Sequence, residues 1–157
     1  NAFTTGSSAG FRIRGAQPSD QLGFSVSRAG DVNGDGIDDI IMGAIIAIAS
    51  SSVSQGGVSY VIFGKRTGIA DIDLLFMRPS KSVGFRIVGA ISFDYSGYDV
   101  SGAGDVNNDG FDDVIVAMLD RDEIVYGGCS AGAVVVESRP RPRGRHGLQS
   151  PPERSPC

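Results

Sequence analysis

Two short acidic segments of the chain carry oxygen-bearing side chains at matching positions. The first, DVNGDGIDD, begins at Asp31, and the second, DVNNDGFDD, begins at Asp105. The first, third, fifth and ninth positions are Asp31, Asn33, Asp35 and Asp39 in one segment and Asp105, Asn107, Asp109 and Asp113 in the other. Oxygen ligands without histidine or cysteine select a hard cation such as calcium or magnesium.

The sixth and seventh positions of each segment complete a metal-binding pattern. Gly36 and Gly110 permit the sharp turn that lets alternate side chains point inward. The seventh residue, Ile37 or Phe111, would then offer its backbone carbonyl. Carboxylates around one point repel each other unless a cation is present, and calcium tolerates irregular geometry better than magnesium. The sequence therefore predicts two Ca²⁺ sites, one in each segment.

Two other interpretations of these segments have to be weighed. An EF-hand loop begins in the same way, but its twelfth position needs a bidentate glutamate, and Met42 and Val116 stand there. The segments also lead into β-branched runs, whereas an EF-hand is flanked by helices. A calcium-binding β-hairpin fits better, and the remaining alternative is a pair of plain solvated turns, since Asp, Asn and Gly are ordinary turn residues.

Other aspartates recur without fitting the ligand pattern. Asp38 and Asp112, at the eighth position, are expected to point away from the ion, into solvent or onto groups around the ligands. Asp20 and Asp94 lie in turn contexts, so a structural role is expected for them.

The acidic segments belong to a longer internal duplication. The stretch from Phe11 to Gly43 aligns without a gap on the stretch from Phe85 to Ala117, and 19 of the 33 positions are identical. A later stretch, GGVSYVIFG, corresponds to AGAVVVESR after one extra residue. The chain therefore contains two copies of one structural unit.

Each unit has the pattern of a small β-sheet. FRIRG and FRIVG are predicted to open the units as short strands, and three further strands follow in each, with a short helical turn at Asp71–Met77 as the one helical signal. Four strands per repeat, at a period longer than 40 residues, are typical of a β-propeller blade. Two blades cannot close a ring, so further blades or self-association are expected to cover the outer faces.

Composition and charge narrow the class of protein. Of 157 residues, 41% are apolar and 23 are glycine, which suits a turn-rich all-β fold. The segment 138–157 holds five of the fourteen basic residues, which leaves nine basic and seventeen acidic residues elsewhere. This acidic balance disfavours nucleic acid as a partner. The longest apolar run, Ile40–Ala49, is too short to span a bilayer, and two cysteines, Cys129 and Cys157, are too few for a disulfide scaffold.

The motif LGFSVSRAGDVNGDGIDDIIMGA, followed by GGVSYVIFG, resembles the FG-GAP repeat of the integrin α-subunit propeller and its bacterial relatives. The resemblance implies a β-propeller of four-stranded antiparallel blades with calcium held in hairpin loops. It assigns as ligands Asp31, Asn33, Asp35, Ile37, Asp39, Asp105, Asn107, Asp109, Phe111 and Asp113. Residues 1–10 would be a lead-in, 11–82 the first blade, 83–137 the second, and 138–157 a disordered tail rich in Pro and Arg.

The resemblance also implies a role. It points to a calcium-binding extracellular or cell-surface module for adhesion or protein recognition, with a protein ligand or further blades as partner. The alternatives are a non-catalytic appendage of a secreted hydrolase, or a structural fragment without separate activity. The GCSAG string around Ser130 matches the nucleophile-elbow pattern, but the single histidine, His146, lies in the tail and Cys129 has no evident base. No enzyme is predicted.

Overall fold

The computed structural model describes residues 10–48, 50–68, 70–77 and 82–119, together with the backbone of strands at 125–126 and 133–137. All regular elements in these residues are β-strands, which confirms the all-β class. The strands are β1 (Ile13–Arg14), β2 (Leu22–Gly30), β3 (Asp39–Ala44), β4 (Val58–Ile62), β5 (Ile72–Asp73), β6 (Gly84–Val88), β7 (Asp99–Gly104), β8 (Asp113–Met118), β9 (Val125–Tyr126) and β10 (Ala133–Glu137).

The segment for which a short helical turn was predicted contains no helix. Its first residues form β5, and two successive turns follow, with the N–H of Phe76 bonded to the carbonyl of Asp73 and that of Met77 to the carbonyl of Leu74. The short strand β5 pairs in parallel with β1. Ile72 and Asp73 therefore have an extended backbone and do not belong to a helical turn.

The first large sheet has four antiparallel strands in the order β2-β3-β4-β6. Ile41 in β3 lies opposite Val61 in β4, and Val61 lies opposite Phe85 in β6. These side chains share one face of the sheet because side chains alternate along each strand. A continuous apolar face across three strands results.

The fourth strand of this sheet comes from the second sequence repeat. FRIVG was predicted to open the second unit, but β6 is hydrogen-bonded to β4 and closes the first sheet. Phe85 and Ile87 there pack against the core between the two large sheets, which accounts for the placement. The hydrogen-bonded sheet and the sequence repeat therefore have different boundaries.

The second large sheet has the order β7-β8-β10-β9. β7 and β8 are antiparallel, as are β9 and β10, but β10 runs parallel to β8. This differs from the four antiparallel strands predicted for each unit. A parallel neighbour requires a crossover connection, and here the chain between Met118 and Ala133 includes β9 at the far edge of the sheet.

Two apolar clusters stabilise the fold. One lies between the large sheets and joins Ala29, Ile41 and Val61 of the first sheet to Val100, Val114 and Val116 of the second. The other covers the outer face of the first sheet, where Met42, Tyr60 and Ile62 pack with Leu74 and with side chains of β1 and β5. Burying such branched side chains contributes about 1.5–3 kcal/mol each, so the sheets are held together by apolar contact.

Several predictions from the sequence fall outside the described residues. They concern Cys129, Ser130, His146, Cys157 and the tail at 138–157. None of the described residues belongs to a helix that could cross a lipid bilayer.

Candidate metal loops

The two acidic segments form equivalent hairpin loops. The first, residues 31–38, connects β2 to β3, and the second, residues 105–112, connects β7 to β8. Both have a left-handed backbone at the fourth and sixth positions, with φ of 76° at Gly34 and 79° at Gly36, and 60° at Asn108 and 92° at Gly110. The chain therefore curls in the same way in both copies, as predicted from the sixth-position glycines.

In the first loop, side-chain oxygens converge on main-chain N–H groups. The Asp31 carboxylate accepts hydrogen bonds from the amides of Asp35 (2.9 Å) and Gly36 (2.8 Å). The side-chain oxygen of Asn33 accepts a second bond from the same Asp35 amide, at 2.9 Å. Asp35 in turn accepts the amide of Ile37 at 2.9 Å and the Asn33 side-chain amide at 3.0 Å. The side chains at the first, third and fifth positions are thereby brought together.

The second loop repeats this network almost bond for bond. Asp105 accepts the amides of Asp109 (3.0 Å) and Gly110 (2.9 Å), and Asn107 accepts the Asp109 amide at 2.9 Å. Asp109 accepts the amide of Phe111 at 3.0 Å and the Asn107 side-chain amide at 3.0 Å. The two copies thus place the same side-chain oxygens in the same positions, as their near-identical local sequences lead one to expect.

The ninth-position aspartates differ from the others because they are buried. Asp39 is 1% exposed and accepts the amides of Val32 (3.0 Å) and Gly64 (2.8 Å). Asp113 is also 1% exposed and accepts the Val106 amide at 2.9 Å, but its Oδ1 has no hydrogen-bond partner in the part of the chain that the structure describes. Each ninth-position carboxylate therefore secures the base of its loop through backbone contacts.

The surroundings of Asp39 in the first loop disfavour a negative charge on its carboxyl group. Burial raises the pKa of the Asp39 carboxyl, and the charges of Asp35 and Asp31 act in the same direction, against hydrogen bonds from Gly64 and Val32 that lower it. A bound cation would oppose this repulsion.

The aspartates at the eighth position occupy different surroundings in the two loops. Asp38 is exposed and forms an ion pair with Arg28 at 2.6 Å. Asp112 instead accepts the amide of Asp31 from the first loop at 2.7 Å. The prediction that both would point away from a bound ion is not tested, but the contact of Asp112 with the other loop could not be read from the repeat.

Asp20 and Asp94 lie in turns, as expected. Each accepts the amide of the residue three positions earlier, from Gln17 and Ile91 respectively, at 3.0 Å. Both are buried, and burial raises the pKa of Asp20, against the lowering effect of the Gln17 hydrogen bond. Neither belongs to the acidic loops.

The loops suit a hard cation by the chemistry of their donors. Each presents only oxygen donors, and in the second the buried Oδ1 of Asp113, whose counterpart in Asp39 accepts the Gly64 amide, has no partner among the described residues. A carboxylate oxygen that already accepts one N–H retains a lone pair for a cation. No three acidic, histidine or cysteine side chains in the described ranges form a preassembled metal centre. The donor chemistry is of the kind that calcium prefers, and both calcium sites stay a prediction.

The fold and the loops define an all-β repeat chain with paired acidic hairpins. Its sequence is similar to that of integrin alpha-E of Mus musculus, at 32% identity over 122 residues, which is 76% of this chain. The chain spans 9% of that relative's length. No protein-family model matches the chain. The chain is thus integrin-α-like over three quarters of its length.

Proposed function

We propose that the chain is a calcium-binding FG-GAP module of an integrin-α-like propeller, acting outside the cell or at its surface in adhesion or protein recognition. The observation that carries the proposal is the shared hydrogen-bond network of the two loops, in which the first, third and fifth side chains converge in the same way. The similarity to an integrin α subunit favours a non-catalytic role and an extracellular location.

The first Ca²⁺ would be held by Asp31, Asn33, Asp35, the Ile37 carbonyl and Asp39, and the second by Asp105, Asn107, Asp109, the Phe111 carbonyl and Asp113. Bound calcium supplies positive charge that offsets the repulsion among these carboxylates and rigidifies each hairpin. Because the ion binds the folded loop, its binding free energy adds to the stability of the fold. Extracellular calcium modules bind at about 10⁻⁴ to 10⁻³ M.

A calcium titration of chelator-treated protein tests the proposal. We expect two sites by calorimetry and, at a free calcium concentration of 100 times Kd, a gain of about 2.7 kcal/mol in unfolding free energy for each site. Asp35→Ala is expected to abolish binding at the first loop, because Asp35 is a ligand and also accepts the Ile37 amide.

Asp38→Ala is the matched control for this experiment. It removes a neighbouring carboxylate that is ion-paired with Arg28 and, among the described residues, makes no hydrogen bond to another residue of its loop. We expect this variant to retain both sites. Absence of binding heat and of stabilisation in the wild type would contradict the proposed calcium function, and retention of both sites in Asp35→Ala would contradict the ligand assignment.

On the outer face of the first sheet, Leu74 and side chains of β1 and β5 cover β3 and β4, but the β2 side of this face remains open to a further element. Val26 of β2, which lies beside Met42 on this face, is 59% exposed. The repeat equivalent of Val26 is Val100, which is 4% exposed because the first sheet covers it. The face of the first sheet that carries Val26 is therefore equivalent to the face of the second sheet that packs against a neighbouring sheet.

For the isolated chain we propose that a second copy occupies this face, through the outer face of its second sheet. Ala103 and Ile115 on that face are the repeat equivalents of Ala29 and Ile41, which cover Val100 within the chain. The Arg28 side chain limits the fit. Its repeat equivalent is Gly102, which lies so close to the first sheet that an added Cβ would be 2.8 Å from the backbone oxygen of Arg28. In the proposed dimer the larger Arg28 would stand in the place that Gly102 has within the chain. Association is therefore expected to be weaker than the contact between sheets within the chain.

Sedimentation across a concentration series tests this self-association. Val26→Asp is expected to shift the protein toward monomer, because it places a charge on the apolar face. Ile48→Asp, at a side chain that is 69% exposed in the loop after β3, is the control and is expected to leave association unchanged. A wild type that stays monomeric throughout, or equal effects of both variants, would contradict the proposed surface.

A further inference from the structure

The two loops contact each other directly, through two hydrogen bonds between Asp112 and the main chain of Asp31. Asp112 in the second loop accepts the Asp31 amide through its carboxylate at 2.7 Å, and it donates its own amide to the Asp31 carbonyl at 3.1 Å. Asp31 is the first predicted ligand of the first loop. Its main chain is therefore held on both sides by one residue of the other loop.

Two glycines of the first repeat, Gly30 and Gly34, leave room for this contact. A Cβ at Gly30 would overlap the Asp112 carboxylate, and a Cβ at Gly34 would lie 2.6 Å from Cε1 of Phe111. The equivalent positions in the second loop are Gly104, with no atom within 4 Å of an added Cβ, and Asn108. Residues of the second loop thus occupy the space beside Gly30 and Gly34. This explains why position 34 is a glycine, whereas its repeat equivalent, position 108, carries a side chain.

We infer that Asp112 is a positioning residue that couples the two loops, so that calcium bound in one raises the affinity of the other. This inference rests on the proposed calcium function. Asp112 follows Phe111, whose carbonyl is a predicted ligand of the second ion. Calcium binding that orders the second loop therefore fixes Asp112, which holds the main chain of Asp31. The first loop then loses less conformational freedom when it binds its own ion.

The coupling is reciprocal, because a change in the affinity of one site caused by the other must act equally in both directions. Disabling the second loop with Asp109→Ala is expected to weaken calcium binding at the first about fivefold or more. Disabling the first with Asp35→Ala is expected to weaken the second by the same factor. Neither substitution removes the contact between Asp112 and Asp31.

The test is a calcium titration by calorimetry of wild type, Asp35→Ala and Asp109→Ala, each with and without Asp112→Ala. In the Asp112→Ala background we expect each loop to bind with the same affinity whether or not the other is intact. Asp112→Asn, which keeps an acceptor oxygen for the Asp31 amide, is expected to restore most of the coupling. Asp38→Ala, at the equivalent position of the first loop, is expected to leave it unchanged.

The outcomes separate this inference from the proposed function. Two sites that bind independently in the wild type would overturn the coupling and leave the calcium function intact. Coupling that survives Asp112→Ala would overturn the role of Asp112. A wild type without any calcium binding would overturn the proposed function and the coupling together. If Asp112→Ala fails to fold, the wild-type cycle and the Asp112→Asn variant decide the result.

Discussion

Replacing Gly43 by alanine is expected to lower the free energy of unfolding by about 3 kcal/mol. Gly43 is buried in β3 and faces the backbone of Gly97, just before β7 of the second sheet. An added Cβ would overlap the carbonyl oxygen of Gly97 and lie 3.0 Å from its Cα. Both sides of this contact are backbone, so no side chain can rotate away, and the sheets must separate locally. The gain from a less flexible unfolded chain, about 0.4–1 kcal/mol, is smaller.

Urea unfolding of the Gly43→Ala variant measures this effect, and Ala117 provides the matched control. Ala117 is the repeat equivalent of Gly43 and lies in β8, where it already carries a Cβ. The reverse substitution, Ala117→Gly, is expected to cost about 0.5–1 kcal/mol, the ordinary cost of glycine within a strand. Similar small losses in both variants would contradict the close packing at Gly43.

Replacing Asp39 by alanine is expected to lower the unfolding free energy by about 3 kcal/mol in the absence of calcium. The substitution leaves two N–H groups, those of Val32 and Gly64, without their acceptor at the base of the first loop. An unsatisfied buried donor costs about 1–3 kcal/mol. Relief of the buried charge, reflected in the raised pKa of Asp39, offsets part of this loss.

Asp113→Ala, at the equivalent position, is expected to cost less, about 1 kcal/mol. It leaves one N–H group, that of Val106, without its acceptor, and it removes a buried oxygen that has no partner among residues 10–119 as far as they are described. Both variants are to be measured by urea unfolding in the presence of a calcium chelator, so that lost metal binding does not contribute. Equal losses would show that the Gly64 contact adds nothing to the first loop.

The sequence by itself determined the all-β class, the duplication and the local form of the acidic loops. The left-handed backbone at Gly36 and Gly110 and the convergence of Asp31, Asn33 and Asp35 follow from turn chemistry over a few neighbouring residues. The two copies agree because the same local sequence meets the same local constraints. The similarity to an integrin α subunit agrees with the resemblance seen in these motifs.

The tertiary structure decided which strands share a sheet and which residues join the loops. β6 closes the first sheet, where Phe85 and Ile87 pack partly buried against the core between the two large sheets, although the repeat pattern places them at the start of the second unit. Asp38 and Asp112 are equivalent in sequence, yet only Asp112 reaches the other loop, through a contact between residues 81 positions apart. The sequence repeat indicates contacts within a unit. The difference between Asp38 and Asp112 arises because two like units are stacked, so that each unit has a different neighbour.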